Sequence, residues 1–297
     1  QNFHELMDML TVRDPKTNPT LPGREACNLT EEDMKEVERL ADELIAGAKE
    51  VRMEREMLEK SLKGYVLVQK LLDRNAYTMP CPDCCSTRRL NHDQLTFCLT
   101  HSLNNENQVP SSCEMDINSV LAMAIMENLS DKAVYMGNSN PVLYRDGKMV
   151  TIQGFGLAAA TNERDDLYLV FHSTPNRKLH GYKEASKAEY SLAPFANDQG
   201  FGATIRYDFT QDAGQEVTLL RISPDAKKLF AAKGTILAGS GAERTNCDEG
   251  FFMKIANQED FFYKHINFGN HLVVTYGDYI KELQLLGESL GLEVVTA

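Results

Sequence analysis

No stretch of the chain approaches the roughly 20 consecutive apolar residues that a membrane-spanning helix needs, and the start, Gln1 to Leu10, lacks the basic-then-apolar order of a secretory signal. These two absences predict a cytoplasmic chain with no membrane partner. Basic residues are in deficit: 31 Lys and Arg stand against 43 Asp and Glu, a net charge of −12 that repels phosphate backbones. Nucleic acid is therefore not an expected partner. The cysteines are few, seven in all, odd in number and unevenly placed, which argues against a secreted disulfide framework and for reduced thiols or a metal. Internal repeats and low-complexity tracts are also missing. So are the GxSxG, Walker and Rossmann fingerprints, which leaves hydrolase, kinase and dehydrogenase readings without support. What is present, 42% apolar and 25% charged residues over 297 positions, suffices for one large or two medium globular domains.

Residues 1–29 carry Asp14-Pro15, Asn18-Pro19 and Leu21-Pro22-Gly23 and read as an entry loop. Thr30 followed by Glu31, Glu32 and Asp33 is a capping signature. The helix behind it places Met34, Val37, Leu40, Ala41, Leu44, Ile45, Ala48 and Val51 on one face. A second helix is predicted from Tyr65 to Arg74, after Gly64. A strand at 76–79, a helix at 91–104, a strand at 109–113, a helix at 117–129 and a strand at 133–136 then alternate, the rhythm of a parallel, doubly wound sheet. Beyond Asn140-Pro141 the pattern changes to strands at 149–155, 167–171, 202–208, 217–222, 234–237, 251–255 and 271–275, with a last helix at 279–290. The expected architecture is therefore α/β over 1–141, a partial doubly wound domain, and a mostly antiparallel β-barrel-like domain with a terminal helix over 142–297.

Three groups of residues carry potential chemistry. In Cys113-Glu114-Met115-Asp116, both acids follow a predicted strand and precede a helix, the edge at which ligands bind in open α/β sheets. Glu114 can then face a site while Asp116 caps the helix at 117; the alternative is that both are caps and solvated acids. His271, in Phe268-Gly269-Asn270-His271, opens the last strand and is either a metal ligand or acid-base group, or structural. Cys81, Cys84, Cys98 and His101 have the spacing of a tetrahedral zinc site, although Cys98 and His101 share a helix face in any case and buried thiols also serve as small apolar groups.

Taken in order, Asn75-Ala76-Tyr77-Thr78, Thr96-Phe97-Cys98, Cys113-Glu114-Met115-Asp116, Phe171-His172-Ser173, Val217 to Arg221, and Gly269-Asn270-His271 with Tyr276-Gly277-Asp278 resemble the L-fucose isomerase family and, more distantly, the L-arabinose isomerases. The resemblance runs from about residue 30 to the end. It implies aldose–ketose interconversion of a monosaccharide through an enediol, a divalent cation such as manganese or magnesium, and a homo-oligomer whose neighbouring subunits help to close the site. It places the family's glutamate on Glu114, as base and metal ligand, and its histidine ligand on His271. The family's aspartate falls on Asn138, a neutral ligand or substrate contact that cannot serve as a carboxylate base. His172 and Asn270 are implied as substrate neighbours. The resemblance also implies that an amino-terminal domain and half of the middle domain precede Gln1. On this reading Glu114→Gln abolishes exchange and Asp116→Asn has no effect; the alternatives are a degenerate relative that binds sugar or assembles, and a zinc-stapled module.

Overall fold

The computed structural model describes residues 29–75, 96–145, 148–150, 166–183, 188–196 and 201–297. Helix α1 (Glu31–Gly47) begins as its sequence dictates: Thr30 accepts from the Asp33 amide while the Asp33 carboxylate accepts from the Thr30 amide, and Val37, Ala41 and Leu44 turn inward. Strand β1 (Glu50–Val51) leads to helix α2 (Arg55–Asn75). This helix starts well before Gly64, which lies buried in its interior, because Leu58, Leu62, Tyr65 and Val66 on its inner side hold the turn that glycine alone would loosen. Helix α3 (Cys98–Glu106) follows.

The strand expected at 109–113 is absent. Asn105 takes the place of a neighbouring strand: its side chain accepts from the Ser111 amide at 2.8 Å and donates to the Ser111 carbonyl at 3.2 Å. With these backbone groups satisfied, Pro110 and its neighbours run as an irregular segment into helix α4 (Ile117–Ser130), capped by Asp116.

Strands β2 (Tyr135–Pro141), β5 (Leu167–Phe171), β8 (Glu216–Ile222), β9 (Lys228–Ser240), β10 (Gly250–Lys254) and β11 (His271–Tyr276) pair antiparallel in the order β10-β5-β2-β11-β8-β9. Because β10 also pairs with β9, the sheet closes into a six-stranded barrel. A short hairpin, β3 (Leu143–Arg145) and β4 (Lys148–Val150), follows β2. Helix α5 (Gln258–His265) precedes β11; helix α6 (Ile280–Leu290) and a last strand, β12 (Glu293–Thr296), parallel to β9, complete the chain's described part.

The barrel is therefore as expected in kind, but it reaches back across residue 141 to take β2, the short strand that the sequence rhythm assigns to the preceding sheet. The doubly wound parallel sheet is met only weakly. Among the described residues, apart from the barrel with its appended β12 and the hairpin, sheet pairing is confined to three strands, β1, β6 (Tyr190–Ala196) and β7 (Phe201–Tyr207), and the parallel pairs are two, β1 with β6 and β12 with β9. The predicted strand at 76–79, most of 149–155, and Cys81 and Cys84 lie outside the described residues, as does the entry segment to residue 28.

Strict alternation places side chains on the two faces of the barrel wall. Tyr135, Leu219, Phe230 and Val274 join one core cluster, with Phe209, Phe251 and Tyr276; their sequence neighbours Met136, Leu220, Ala231 and Val273 join another, with Ala122, Met123 and Met126 of α4. The second cluster is thus the outer wall, against which α4 packs. Residues of the same parity, Asn138 on β2 and His271 on β11, are direct cross-strand partners, so both face the amino end of α4. A third core joins α1, α2 and α3 to the apolar face of the β6–β7 pair.

Glu127, on the buried side of α4, has its carboxyl pushed by burial from an ordinary 4.5 up to about 8, against a smaller lowering by Tyr182. An acid raised by folding favours the folded state fully below pH 4.5 and opposes it increasingly as the pH climbs through 8. Glu127→Gln is therefore expected to stabilise the protein more at pH 8.5 than at pH 5.5, as read by urea unfolding at the two pH values.

Candidate metal centre

The turn Cys113–Asp116 enters α4 in a costly conformation. Glu114 and Met115 both adopt positive φ, +60° and +52°, which side chains other than glycine avoid. The turn is held from both ends: the Asp116 amide donates to the Cys113 carbonyl at 3.2 Å, and the Ser112 hydroxyl donates to the Asp116 carbonyl at 2.8 Å. Its effect is to lift Glu114 off the start of the helix, with 39% of its side chain exposed, and to aim its carboxylate at two buried histidines.

His172 follows the end of β5 and is fully buried; its amide donates to the Glu249 carbonyl at 2.7 Å. Its Nε2 lies 3.7 Å from Glu114 Oε1. His271 opens β11, and its Nε2 lies 3.5 Å from Glu114 Oε2. The two imidazoles meet edge to face with centroids 5.7 Å apart. One ligand atom from each of Glu114, His172 and His271 falls within 4.8 Å of the others, so a single ion can touch all three. Neither Nε2 has a hydrogen-bond partner although both are buried, an arrangement that is costly unless something takes up the lone pairs.

Asp116 determines what His271 offers. Burial pushes the Asp116 carboxyl up, but hydrogen bonds with His271 and Arg221 outweigh it and hold the group well below the usual carboxylate range. Ionised, it only accepts. The His271 Nδ1 at 2.8 Å is therefore the donor, which makes Nε2, toward Glu114, the nitrogen that can offer a lone pair to an ion. The same carboxylate accepts from the Ser119 amide at 3.0 Å, from the Ser119 hydroxyl at 3.0 Å and from Arg221 at 2.5 Å, and Arg221 in turn donates from Nε to the Phe268 carbonyl at 3.0 Å. Gly269, at φ +111°, admits this guanidinium: a Cβ there would come 3.0 Å from Arg221. The expectation that Asp116 is only a cap is thus corrected, since it is a cap and also the support of His271.

The electrostatics suit a ligand set. Glu114 is lowered below its ordinary value by the adjacent His172, against desolvation, with His271 acting in the same direction. Burial lowers His172, against the raising effect of Glu114, so its neutral form is favoured. Asn138 sits beside the trio, but its amide oxygen accepts from Asn270 at 2.5 Å, and Asn270 is exposed at the rim. The structure therefore brings Glu114, Asn138, His172, Asn270 and His271 to one place. Sequence reasoning grouped His172 with the substrate contacts, whereas its Nε2 stands among the ligand atoms; no local motif marks that difference. Of the zinc-spaced residues, Cys98 is in the outer-wall core and His101 is buried, with Nδ1 at 2.8 Å from Ser111 Oγ; burial pushes His101 down to about 3.

No protein-family model matches the chain, and no curated protein matches it in sequence. Among the described residues, no helix is long and apolar enough to cross a membrane.

Asp116→Asn is expected to cost about 2 kcal/mol, because Arg221 loses its ionic partner in a poorly solvated place; urea unfolding measures this. Met115→Gly should raise stability by about 0.5–1 kcal/mol in the same assay, since glycine adopts the left-handed turn without the side-chain penalty.

Proposed function

We propose that the protein is a metal-dependent sugar isomerase-like enzyme that interconverts an aldose and its ketose at the centre formed by Glu114, His172 and His271. The observation that carries this reading is the convergence of one ionised, half-exposed carboxylate with two buried imidazoles whose Nε2 atoms lack hydrogen-bond partners. The resemblance of the same residues to the L-fucose isomerases supplies the reaction class. When bound, a divalent cation polarises the two substrate oxygens and stabilises negative charge on them.

The rest is the work of side chains. Glu114, ionised and open to solvent on one side, takes the proton from C2 of the aldose and returns it to C1, while the O2 hydroxyl proton passes to O1; the double bond moves through the enediol and no atoms are gained or lost. His172 and His271 would hold the cation through Nε2. Asn138 and Asn270, hydrogen-bonded to each other at the rim, are placed to receive sugar hydroxyls. The hydrogen-bond link between Asp116 and His271 keeps Nε2 free through the cycle.

Glu114→Gln is expected to lower aldose–ketose exchange by at least about 100-fold, the usual weight of a general base, and to weaken metal binding. Asp116→Asn, by letting the His271 proton move to Nε2, should lower metal affinity by about 10-fold. Exchange is read by proton–deuterium incorporation into a panel of aldoses. Full activity in Glu114→Gln rejects the assignment. The neutral Asn138 favours a second reading, a relative that binds sugar without isomerising it, and Asn138→Asp separates the two. In an enzyme it raises turnover, and in a binding protein it leaves turnover at zero while sugar still binds.

A further inference from the structure

The three converging side chains define which ions can sit there, an inference that rests on the isomerase-type centre just proposed. Oxygen-only cages suit magnesium, calcium and manganese, whereas imidazole suits zinc, iron, cobalt, nickel and copper. The donors available here are two imidazole nitrogens and one carboxylate within 4.8 Å of one another. Among the described residues, no further carboxylate joins them. Asp116 is nearest in sequence, but Oδ2 is engaged by His271, Arg221 and the Ser119 hydroxyl, and Oδ1 by the Ser119 amide. The position at which a second acid would face the centre holds Asn138, whose amide oxygen is engaged by Asn270. Both histidines are buried and both Nε2 atoms lack a hydrogen bond. Glu114 alone opens to solvent, which leaves the ion's remaining positions on the substrate side.

We propose that Glu114, His172 and His271 form a two-histidine, one-carboxylate face that selects a late first-row divalent ion, zinc or iron(II), over manganese and magnesium. His172 is the residue that sets this choice, because it supplies nitrogen where a carboxylate would make the site hard. Three protein ligands with open positions are also the arrangement of catalytic zinc and of mononuclear non-haem iron(II).

The test strips the full chain with a chelator, dialyses it anaerobically against an equimolar mixture of magnesium, manganese, iron(II), cobalt and zinc, and measures bound metal by mass spectrometry. About one zinc or iron per chain is expected, with manganese and magnesium each at least tenfold lower. Cobalt alone should give visible absorption bands of a nitrogen-ligated site. Glu114→Gln should lose the ion. His172→Asp, whose fold is checked by circular dichroism, should shift the zinc-to-manganese ratio at least tenfold toward manganese; His172→Asn serves as a second variant and should lower zinc retention tenfold without gaining manganese. Retention of manganese by the wild type and its loss in Glu114→Gln overturn the proposal and leave the isomerase-type centre standing. Zinc held equally by wild type, Glu114→Gln and both His172 variants overturns it, since the ion then sits elsewhere. No ion held by any of the proteins overturns the proposal and the metal-dependent reading together.

Discussion

The carboxylate of Asp116 ties three neighbouring elements together at one point. Through Ser119 it starts α4, through Arg221 it reaches the end of β8 and the Phe268 carbonyl before β11, and through His271 it enters the candidate metal centre. A partly buried charge is expensive unless every lone pair has a partner, and here each oxygen has at least one. The requirement runs in both directions. The helix needs an acceptor at its amino end, Arg221 needs an anion, and His271 needs a fixed proton; one group meets all three, so the seating of α4 on the barrel and the tautomer of His271 are set together.

A second connection runs behind His172. The Glu249 carbonyl accepts from the His172 amide and from the Tyr135 hydroxyl, at 2.7 and 2.9 Å, while the Glu249 side chain is taken up by Arg206 and by the Tyr207 amide. His172 is thereby pinned by the barrel on one side and, through Glu249, by the β6–β7 sheet on the other. The two imidazoles of the centre thus rest on different supports, Asp116 for the one and Glu249 for the other. The strained turn at Glu114 and Met115 bridges them. Backbone strain of that kind persists only where the surroundings over-determine it, and the flanking hydrogen bonds of Ser112 and Asp116 supply that determination.

Much of this was legible in the residues. The Thr30–Asp33 cap, the face of α1 as far as Leu44 and the barrel strands β5, β8, β10 and β11 announce themselves, because capping chemistry and apolar patterning are local; Val51, read onto that face, lies instead in β1, and the strand read at 202–208 with the barrel is β7 of the β1-β6-β7 sheet. Closure was not legible, since nothing in a strand says which strand it meets; β2 reads equally well as the edge of a parallel sheet. The segment 109–113 misled because Asn105 satisfies its backbone from a distance of six residues. Glu114 and His271 were legible as candidate ligands, and the fold sets them together. The double use of Asp116 was not, because a cap and the support of a ligand carry the same sequence signature, and the ligand atom of His172 depends on where β5 ends relative to β11.

The charge count at the centre explains why an asparagine at 138 is compatible with the proposed chemistry. Asp116 is matched by Arg221 at 2.5 Å, and burial favours the neutral form of His172. His271 turns Nδ1 to Asp116 and Nε2 to Glu114, and as a metal ligand it would add no charge. Glu114 is then the one unbalanced charge among the three ligands, so a dication held there keeps a net charge of about +1 for the substrate. A second carboxylate at position 138 would cancel it. In a partly desolvated site the energy of that remaining charge against a developing enediolate oxygen is large compared with its value in water. On the proposed reading, neutral Asn138 keeps that charge but withholds a base; the proton transfer then rests on Glu114, whose carboxylate is open to solvent, and the base gained in Asn138→Asp outweighs the charge lost.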